Sequence, residues 1–397
     1  MRILHVTPTY LPARRYGGPI FAVHGLCKSL VDSGHEVHVF TTNIDGKEES
    51  NVPLDQPVDL DGVKVWYFQS KFLRKLFFSP KMKRRLRKEA GFFNLLHIHS
   101  LFVWPTLMAA RFANSKGIPY VLSPHGMLNP TLIHKKNRWV KLAWISLFDR
   151  WNMKRASGIH YTSALENNEA EGFAGKLPAA FVVPFGIDLA TDENKATNVV
   201  GPIELALNNE YILFLGRVHW KKGLDRLIRA MSYVHHAELI IAGNDEDNFG
   251  AELRKIAHEH GLNSRIKFIG PVYGAEKKIL YEKASIFVLS SYSENFAMTV
   301  LEAMAAGCPV IVTPEVGLAD SLIESGAGIV THGDPKKLAV SINGLLADRE
   351  LRRQMGEVGR RTAMEQFAWD KIARQMTAVY ERILKRVEPN LISMPPK

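Results

Sequence analysis

Short apolar runs alternate with helix-patterned stretches along this chain, and the alternation occurs twice. The first series runs through Ile3–Thr7, a helix near Gly18–Ser33, Glu36–Thr41, Val63–Phe68, Leu95–His99, Tyr120–Ser123, Gly158–Tyr161 and Phe181–Val183. Such an order requires crossover connections, hence mainly parallel strands in a sheet covered on both faces. Pro184-Phe185-Gly186 breaks the pattern, and a polar stretch from Thr191 to Glu210 follows. The second series runs through Tyr211–Leu215, Glu238–Ala242, Arg265–Ile269, Ile286–Leu289 and Pro309–Val312. Its helices fall at about Leu224–Tyr233, Gly250–His260, Ala275–Lys283 and Phe296–Ala306, and the last 60 or so residues read as helix ending at Val387. The expectation is an α/β protein of two doubly wound domains, residues 1–190 and 211–370, joined by a linker over 191–210. Residues 371–397 form a C-terminal helix, packing back toward the first domain, and a tail. Ligands of such sheets bind at the carboxyl ends of strands, so a deep cleft between facing domains is the expected site.

A length of 397 residues suffices for two cores, and a composition 46% hydrophobic and 23% charged suits a soluble globular protein. No apolar stretch reaches the ~18 residues of a transmembrane helix. The first apolar run is too short for a signal peptide and reads as a strand. Cys27 and Cys308 lie in apolar periodic stretches, which predicts buried, reduced thiols in a cytoplasmic protein. The formal charge of +11 is carried wholly by residues 1–190, with 25 Lys and Arg against 14 Asp and Glu. That half therefore expects an anionic partner: a membrane surface, an acidic substrate or a nucleic acid.

Four constellations lie at expected strand ends. Glu294 and Glu302 are separated by seven residues. A helix over Phe296–Ala306, stopped by Gly307 and Pro309, would set them about 12 Å apart along its axis with a phosphate-friendly N-terminus between. Two solvated glutamates on an ordinary helix would look the same. Gly216 and Arg217 end the strand Tyr211–Leu215, and Lys221-Lys222-Gly223 opens the next helix, so Arg217 and Lys222 can converge on one diphosphate. Tyr16-Gly17-Gly18-Pro19 sits between the first strand and its helix, where paired glycines let backbone approach a ligand, or simply make a turn. His125, in Ser123-Pro124-His125-Gly126, can bond a sugar hydroxyl or orient a reacting group, although lone histidines are more often structural. His97 and His99 alternate onto one face of a strand, with no third metal ligand evident. Asp-x-Asp pairs at Asp59–Asp61 and Asp245–Asp247 lie in turn-like stretches and read as structural, so no metal site is expected.

Gly17-Gly18, Pro124-His125-Gly126, Pro184-Phe185-Gly186-Ile187-Asp188, the Gly216–Gly223 segment and the Glu294/Glu302 pair followed by AMAAGCPVI occur in this order over nearly the whole chain. Together they resemble retaining glycosyltransferase family 4, whose members have the GT-B fold of two Rossmann-like domains. The segment SPHGML with the basic, Trp-rich stretch Asn137–Arg155 is similar to bacterial extracellular-polysaccharide members. The resemblance implies that Glu302 binds ribose hydroxyls and that Glu294 and the segment Asn295, Phe296, Ala297, Met298 and Thr299 hold the donor sugar. It places Arg217, Lys222 and Gly216 at the diphosphate, Gly17 and Gly18 opposite it, Val272 at the base, and His125 near the reacting carbon. Arg217, Lys222, Glu294 and His125 would be the catalytic set, with no cofactor or metal required and the leaving phosphate serving as base. Asn295 and Ala297 stand where the family often has glycine, and Phe185 where it often has Asn; these narrow the sugar pocket.

The implied function is transfer of a hexose, from UDP-glucose or a related UDP-hexose, to a polysaccharide or lipid-linked precursor with retention. A GT-B nucleotide-sugar 2-epimerase is the alternative. A nucleic-acid-binding protein is a third reading, but nothing beyond one basic run supports it, and no nucleic-acid partner is expected. A nicotinamide dehydrogenase is disfavoured because the Gly fingerprint is missing. That run, Lys71–Phe93, holds nine Lys and Arg with Phe72, Leu73, Leu76, Phe77 and Phe78 interleaved. It reads as a basic amphipathic segment whose stretch around Lys71–Lys88 rests on an anionic membrane, the inner face of the plasma membrane.

Overall fold

The computed structural model describes residues 1–13, 15, 17–135, 137–174, 177–188, 210–245 and 248–392. The linker expected over 191–210 lies, but for Glu210, outside them, as do Tyr16 and Asp247. Met1–Gly186 with Trp369–Lys397 form one compact unit, and Ile187–Ala368 a second.

The strands of the first unit are β1 (Arg2–Val6), β2 (Glu36–Thr42), β3 (Ile44–Asp45), β4 (Glu48–Glu49), β5 (Pro57–Leu60), β6 (Val63–Phe68), β7 (Leu95–His99), β8 (Tyr120–Ser123), β9 (Gly158–Tyr161) and β10 (Ala180–Val182). Eight form one sheet in the order β10-β9-β8-β7-β1-β2-β6-β5, parallel except for β5. The sequence reading did not include β3, β4 and β5. Two residues per strand give β3 and β4 no period, and Pro57 and Asp59 dilute the apolar signal of β5. β7, β8 and β9 are buried at every position, as strands covered on both faces must be.

Ile3, Val37, Val39 and Val65 point into one core. Leu4, Val6, Phe40 and Leu96 point into the other. The terminal helix Trp369–Ile392 completes the first of these, inserting Ile372, Met376 and Tyr380, each no more than 1% exposed. Burial of such side chains is worth about 1.5–3 kcal/mol each, so this helix is part of the unit and not an appendage.

The second unit holds β11 (Tyr211–Leu215), β12 (Glu238–Ala242), β13 (Ile266–Gly270), β14 (Ile286–Leu289), β15 (Val310–Val312) and β16 (Gly328–Val330). All pair in parallel, in the order β13-β12-β11-β14-β15-β16. Numbered within the unit this is 3-2-1-4-5-6, with its topological switch between β11 and β14. The connections leaving those two neighbours run to opposite sides and open a crevice at their carboxyl ends.

Candidate active site

Both loops at the switch of the second unit carry the charged residues singled out in the sequence. After β11 the chain passes Gly216 and Arg217, makes a short 3₁₀ turn at Trp220–Lys222, and enters the helix Leu224–Ala230. Gly223 has φ +62, and a Cβ there would lie 1.9 Å from the Ser290 carbonyl oxygen, so only glycine fits where this turn meets the β14 loop. Three bonds join the loops: Tyr292 N–H to Lys221 O (2.7 Å), Ser290 Oγ to Gly223 O (2.8 Å) and Tyr292 OH to Asp225 (2.8 Å). Arg226 lies over the Tyr292 ring at 3.5 Å.

Lys222 and Glu294 form an ion pair across the switch, and each side chain is mostly buried. Arg217 is exposed and has no hydrogen bond or ion pair with a described residue. The Glu294 backbone is bridged to Val316, donating to Glu315 O (2.9 Å) and accepting from Gly317 N–H (2.8 Å). Glu294 is thereby fixed at both backbone and carboxylate.

The expected helix Phe296–Ala306 begins later, at Met298, and spans Met298–Ala305. Ala297 is left-handed (φ 78, ψ 67), which ends any helical path from Glu294. The 12 Å axial spacing therefore does not apply. Glu302 lies about 6 Å beyond the helix start, and Glu294 sits in the loop before it. Ala297 occupies a conformation that costs an L-residue about 1–2 kcal/mol, which explains why glycine suits this position. The Met298 and Thr299 amides open the helix, and neither donates to a described residue. Phe296 is 2% exposed with its ring 6.2 Å from that of Phe367, so it offers a ligand backbone and not a face. Val272 is also buried, beyond the positive-φ Gly270.

Glu302 is held by Lys277 Nζ at 2.5 Å and Tyr281 OH at 2.9 Å. Sequence reasoning missed both partners. The signal was their spacing of four on the helix Gly274–Lys283, which puts them on one face.

In the first unit, Gly17 (φ 74, ψ −147) turns the chain into the helix Gly18–Asp32, which has Pro19 in its first turn. His125 follows β8 with φ 53, a left-handed conformation sparsely used by non-glycine residues. Glu166 props the turn, accepting from Gly126 N–H at 2.6 Å and from the Thr162 N–H and OH at 2.8 Å. The sequence reading overlooked Glu166, although Ser163-x-x-Glu166 is a capping-box spacing and Ser163 Oγ accepts the Glu166 N–H at 3.1 Å.

The sequence shows no third metal ligand beside His97 and His99, and this is corrected: the fold brings a third imidazole to them. β1 pairs with β7 so that His5 lies opposite His97, and nitrogens of His5, His97 and His99 fall within 4.8 Å of one another. Register between distant strands supplies this neighbour, and no local pattern reports it. All five histidines here are pushed below their ordinary range, chiefly by burial: His5 and His125 to about 3, His160 to about 4, and His97 and His99 well below it.

The basic run also differs from expectation. It forms a 3₁₀ turn at Arg74–Leu76 and the helix Pro80–Glu89, whose Met82 and Leu86 are fully buried in the core. The apolar side of that helix is thus already used. Lys83, Arg84, Arg87 and Lys88 face outward without an ion pair to a described residue, and only Phe72, Leu73 and Phe92 remain as exposed large apolar groups. In the Asp-x-Asp pairs, Asp59 accepts from Gly62 N–H (3.0 Å), Asp61 meets His24 (2.9 Å) and Asp245 accepts from Gly250 N–H (3.1 Å). No helix among the described residues is long and apolar enough to cross a membrane.

Residues 16–191 match the family model described as Glycosyltransferase Family 4, and residues 200–362 that described as Glycosyl transferases group 1. The chain is 27% identical to an uncharacterized glycosyltransferase of Methanocaldococcus jannaschii, over 96% of this chain and 98% of that protein. Among solved structures it is similar to sucrose-phosphate synthase from Thermosynechococcus elongatus, with 23% identity, a TM-score of 0.75 and coverage of 97% and 99%. It is also similar to Anabaena HepE, solved with UDP and glucose, with 21% identity, a TM-score of 0.73 and coverage of 96% and 100%. The two family models between them match most of each unit and the loops that carry the site residues, and the chain belongs to glycosyltransferase family 4 and has the GT-B fold.

Proposed function

We propose that the protein transfers a hexose from a nucleotide-diphosphate sugar, preferably UDP-glucose or a related UDP-hexose, to a polysaccharide or lipid-linked precursor, with retention of configuration. The observation that carries this reading is the Lys222–Glu294 pair at the β11/β14 switch, with an exposed Arg217 that pairs with no described residue and the open N-terminus of the helix Met298–Ala305. In the reaction the bond between the anomeric carbon and the leaving phosphate oxygen breaks. The acceptor hydroxyl oxygen bonds to that carbon on the same face, and its proton passes to the departing phosphate.

Negative charge grows on the diphosphate as the bond breaks. Arg217, Lys222 and the Met298 and Thr299 amides meet it, an arrangement worth about 3–4 kcal/mol per well-placed donor and in no need of a metal. Glu294, released by Lys222 as the diphosphate takes that cation, accepts from sugar hydroxyls. Glu302, oriented by Lys277 and Tyr281, accepts from the ribose. Val272 and the backbone from Asn295 to Ala297 line the base and sugar. Gly17 and Gly18 allow close backbone approach to phosphate, and His125 bonds a sugar hydroxyl. The preference for uridine rests on the Anabaena structure, whose ligands are UDP and glucose.

A membrane-borne acceptor fits the cationic face of Pro80–Glu89 and the helical stretch Arg138–Arg155, where Trp139, Leu147 and Trp151 are exposed among Arg150, Lys154 and Arg155. These features support a site of action at the cytoplasmic face of an anionic membrane. Thermal unfolding with a panel of UDP- and GDP-sugars tests the donor, because a ligand of the folded state raises the midpoint by mass action. A shift with UDP-hexoses, and release of UDP with transfer, is expected. Isomerised UDP-hexose without transfer would indicate the epimerase, and no shift with any nucleotide sugar would refute the assignment.

A further inference from the structure

Three imidazoles in the first unit are hydrogen-bonded in line. His125 Nε2 lies 3.0 Å from His99 Nδ1, and His99 Nε2 lies 2.9 Å from His5 Nδ1. The rings stack, with interplanar angles of 5° and 15°. The two ends of the line, His125 Nδ1 and His5 Nε2, are buried atoms without a partner among the described residues. Burial disfavours a charge on any of the three.

A neutral imidazole has one N–H and one lone pair. Both links are then made only if all three rings point the same way. Either His125 presents an N–H at Nδ1 and His5 keeps a bare Nε2, or the reverse. His5 is 0% exposed. An N–H orphaned in such a core is rarer than an orphaned acceptor. His125 as a residue is half-buried although its Nδ1 is covered, so its end of the line is the one nearer the surface, and an N–H there is the one a bound ligand can satisfy.

A neighbouring line shows the same logic with its direction anchored. The Val183 carbonyl can only accept, so His160 Nε2 donates to it at 2.8 Å. His160 Nδ1 then accepts from Ser123 OH (2.7 Å), Ser123 Oγ from His97 Nε2–H (2.6 Å), and His97 Nδ1 from Tyr380 OH (2.6 Å). These bonds also occupy the nitrogens of His97, while His5 Nδ1 and both nitrogens of His99 belong to the first line. Hydrogen bonding therefore accounts for the closeness of the trio without a cation.

The geometry points to His99 and His5 as positioning residues that hold His125 in the Nδ1–H form, donating to an oxygen of the sugar nucleotide. The identity of that oxygen's owner rests on the transferase reading. The direction of the line does not.

Ring ¹⁵N spectra of the histidine-labelled full chain at pH 7 read each tautomer directly, with signals assigned from His5→Asn, His99→Gln and His125→Ala. Nδ1–H forms of His125, His99 and His5 are expected, and an Nε2–H form of His125 would overturn the inference whatever the enzyme's activity. In kinetics with UDP-glucose, His5→Phe removes the N–H that fixes His99. It is expected to lower kcat about tenfold, roughly the worth of one hydrogen bond, with KM within about twofold. His5→Asn, whose amide N–H replaces Nδ1–H, should restore most of that loss. Equal losses in both variants, or none in either, would refute the positioning role. Absence of UDP-glucose turnover in the unaltered protein would instead count against the donor assignment, leaving the spectra to decide the tautomer.

Discussion

Lowering the pH from 7 to 5.5 brings the first unit into the titration range of histidines that its core resists charging. His5, His97, His99 and His160 are no more than 1% exposed, and desolvation lowers each of them, reinforced for His5, His97 and His99 by repulsion from neighbouring imidazoles. No carboxylate is among the causes of these shifts. Each native pKa lies below the unfolded value of 6.5, so the unfolded chain takes up protons first as pH falls. The stabilisation is present above pH 6.5 and declines below it until the native histidines also protonate. Over this interval each fully buried histidine removes about 1.2 kcal/mol, together about 5 kcal/mol. Asp149 acts in the opposite sense. Burial raises it to about 6, so it binds its proton in the native state first. That returns about 0.8 kcal/mol between pH 7 and 5.5, leaving a net loss of about 4 kcal/mol. Domains are stable by about 5–15 kcal/mol, so the loss is large. Urea unfolding at both pH values measures it through the midpoint and slope, and the pH dependence gives a net uptake on unfolding that rises to about three protons at pH 5.5. A change below about 1 kcal/mol, or uptake of fewer than one proton, would show that these imidazoles are hydrated or charged in the folded protein.

Two further perturbations probe the switch and the cationic face. Gly223→Ala sets a Cβ against the Ser290 carbonyl at a positive φ. It should cost more than about 2 kcal/mol and lower turnover, measured by denaturant unfolding and UDP release; unchanged values would mean the two loops are not locked together. Binding to liposomes should require anionic lipid, weaken with salt, and fall by about 1 kcal/mol for each of Lys83→Ala and Arg87→Ala. Binding insensitive to salt and to both substitutions would contradict an electrostatic contact.

The repeated alternation of apolar runs and helical patterns was legible because it is local. β7, β8 and β9 begin and end where the sequence places them, and β10 is displaced by one residue. The hairpin β3-β4 and the antiparallel β5 were not legible, since short strands with charged or Pro residues look like loop until a partner strand pairs with them. At the site, the residue types and their strand-end placement could be read directly. The pairing of Lys222 with Glu294, of Lys277 and Tyr281 with Glu302, and of His5 with His99 could not, because each joins residues from distant segments whose register only the folded sheet sets. The late helix start at Met298 was hidden because Ala297 is a helix-favouring residue found in a left-handed conformation.

Steady-state release of UDP from UDP-glucose by the unaltered protein, Lys222→Ala and Arg217→Ala separates leaving-group stabilisation from simple donor binding. Removing a cation that acts on the departing diphosphate should lower kcat about 10²–10³-fold, with kcat/KM falling in parallel. An unchanged kcat with a raised KM in both variants would make the cations ground-state binders and contradict the mechanism proposed for the β11/β14 switch.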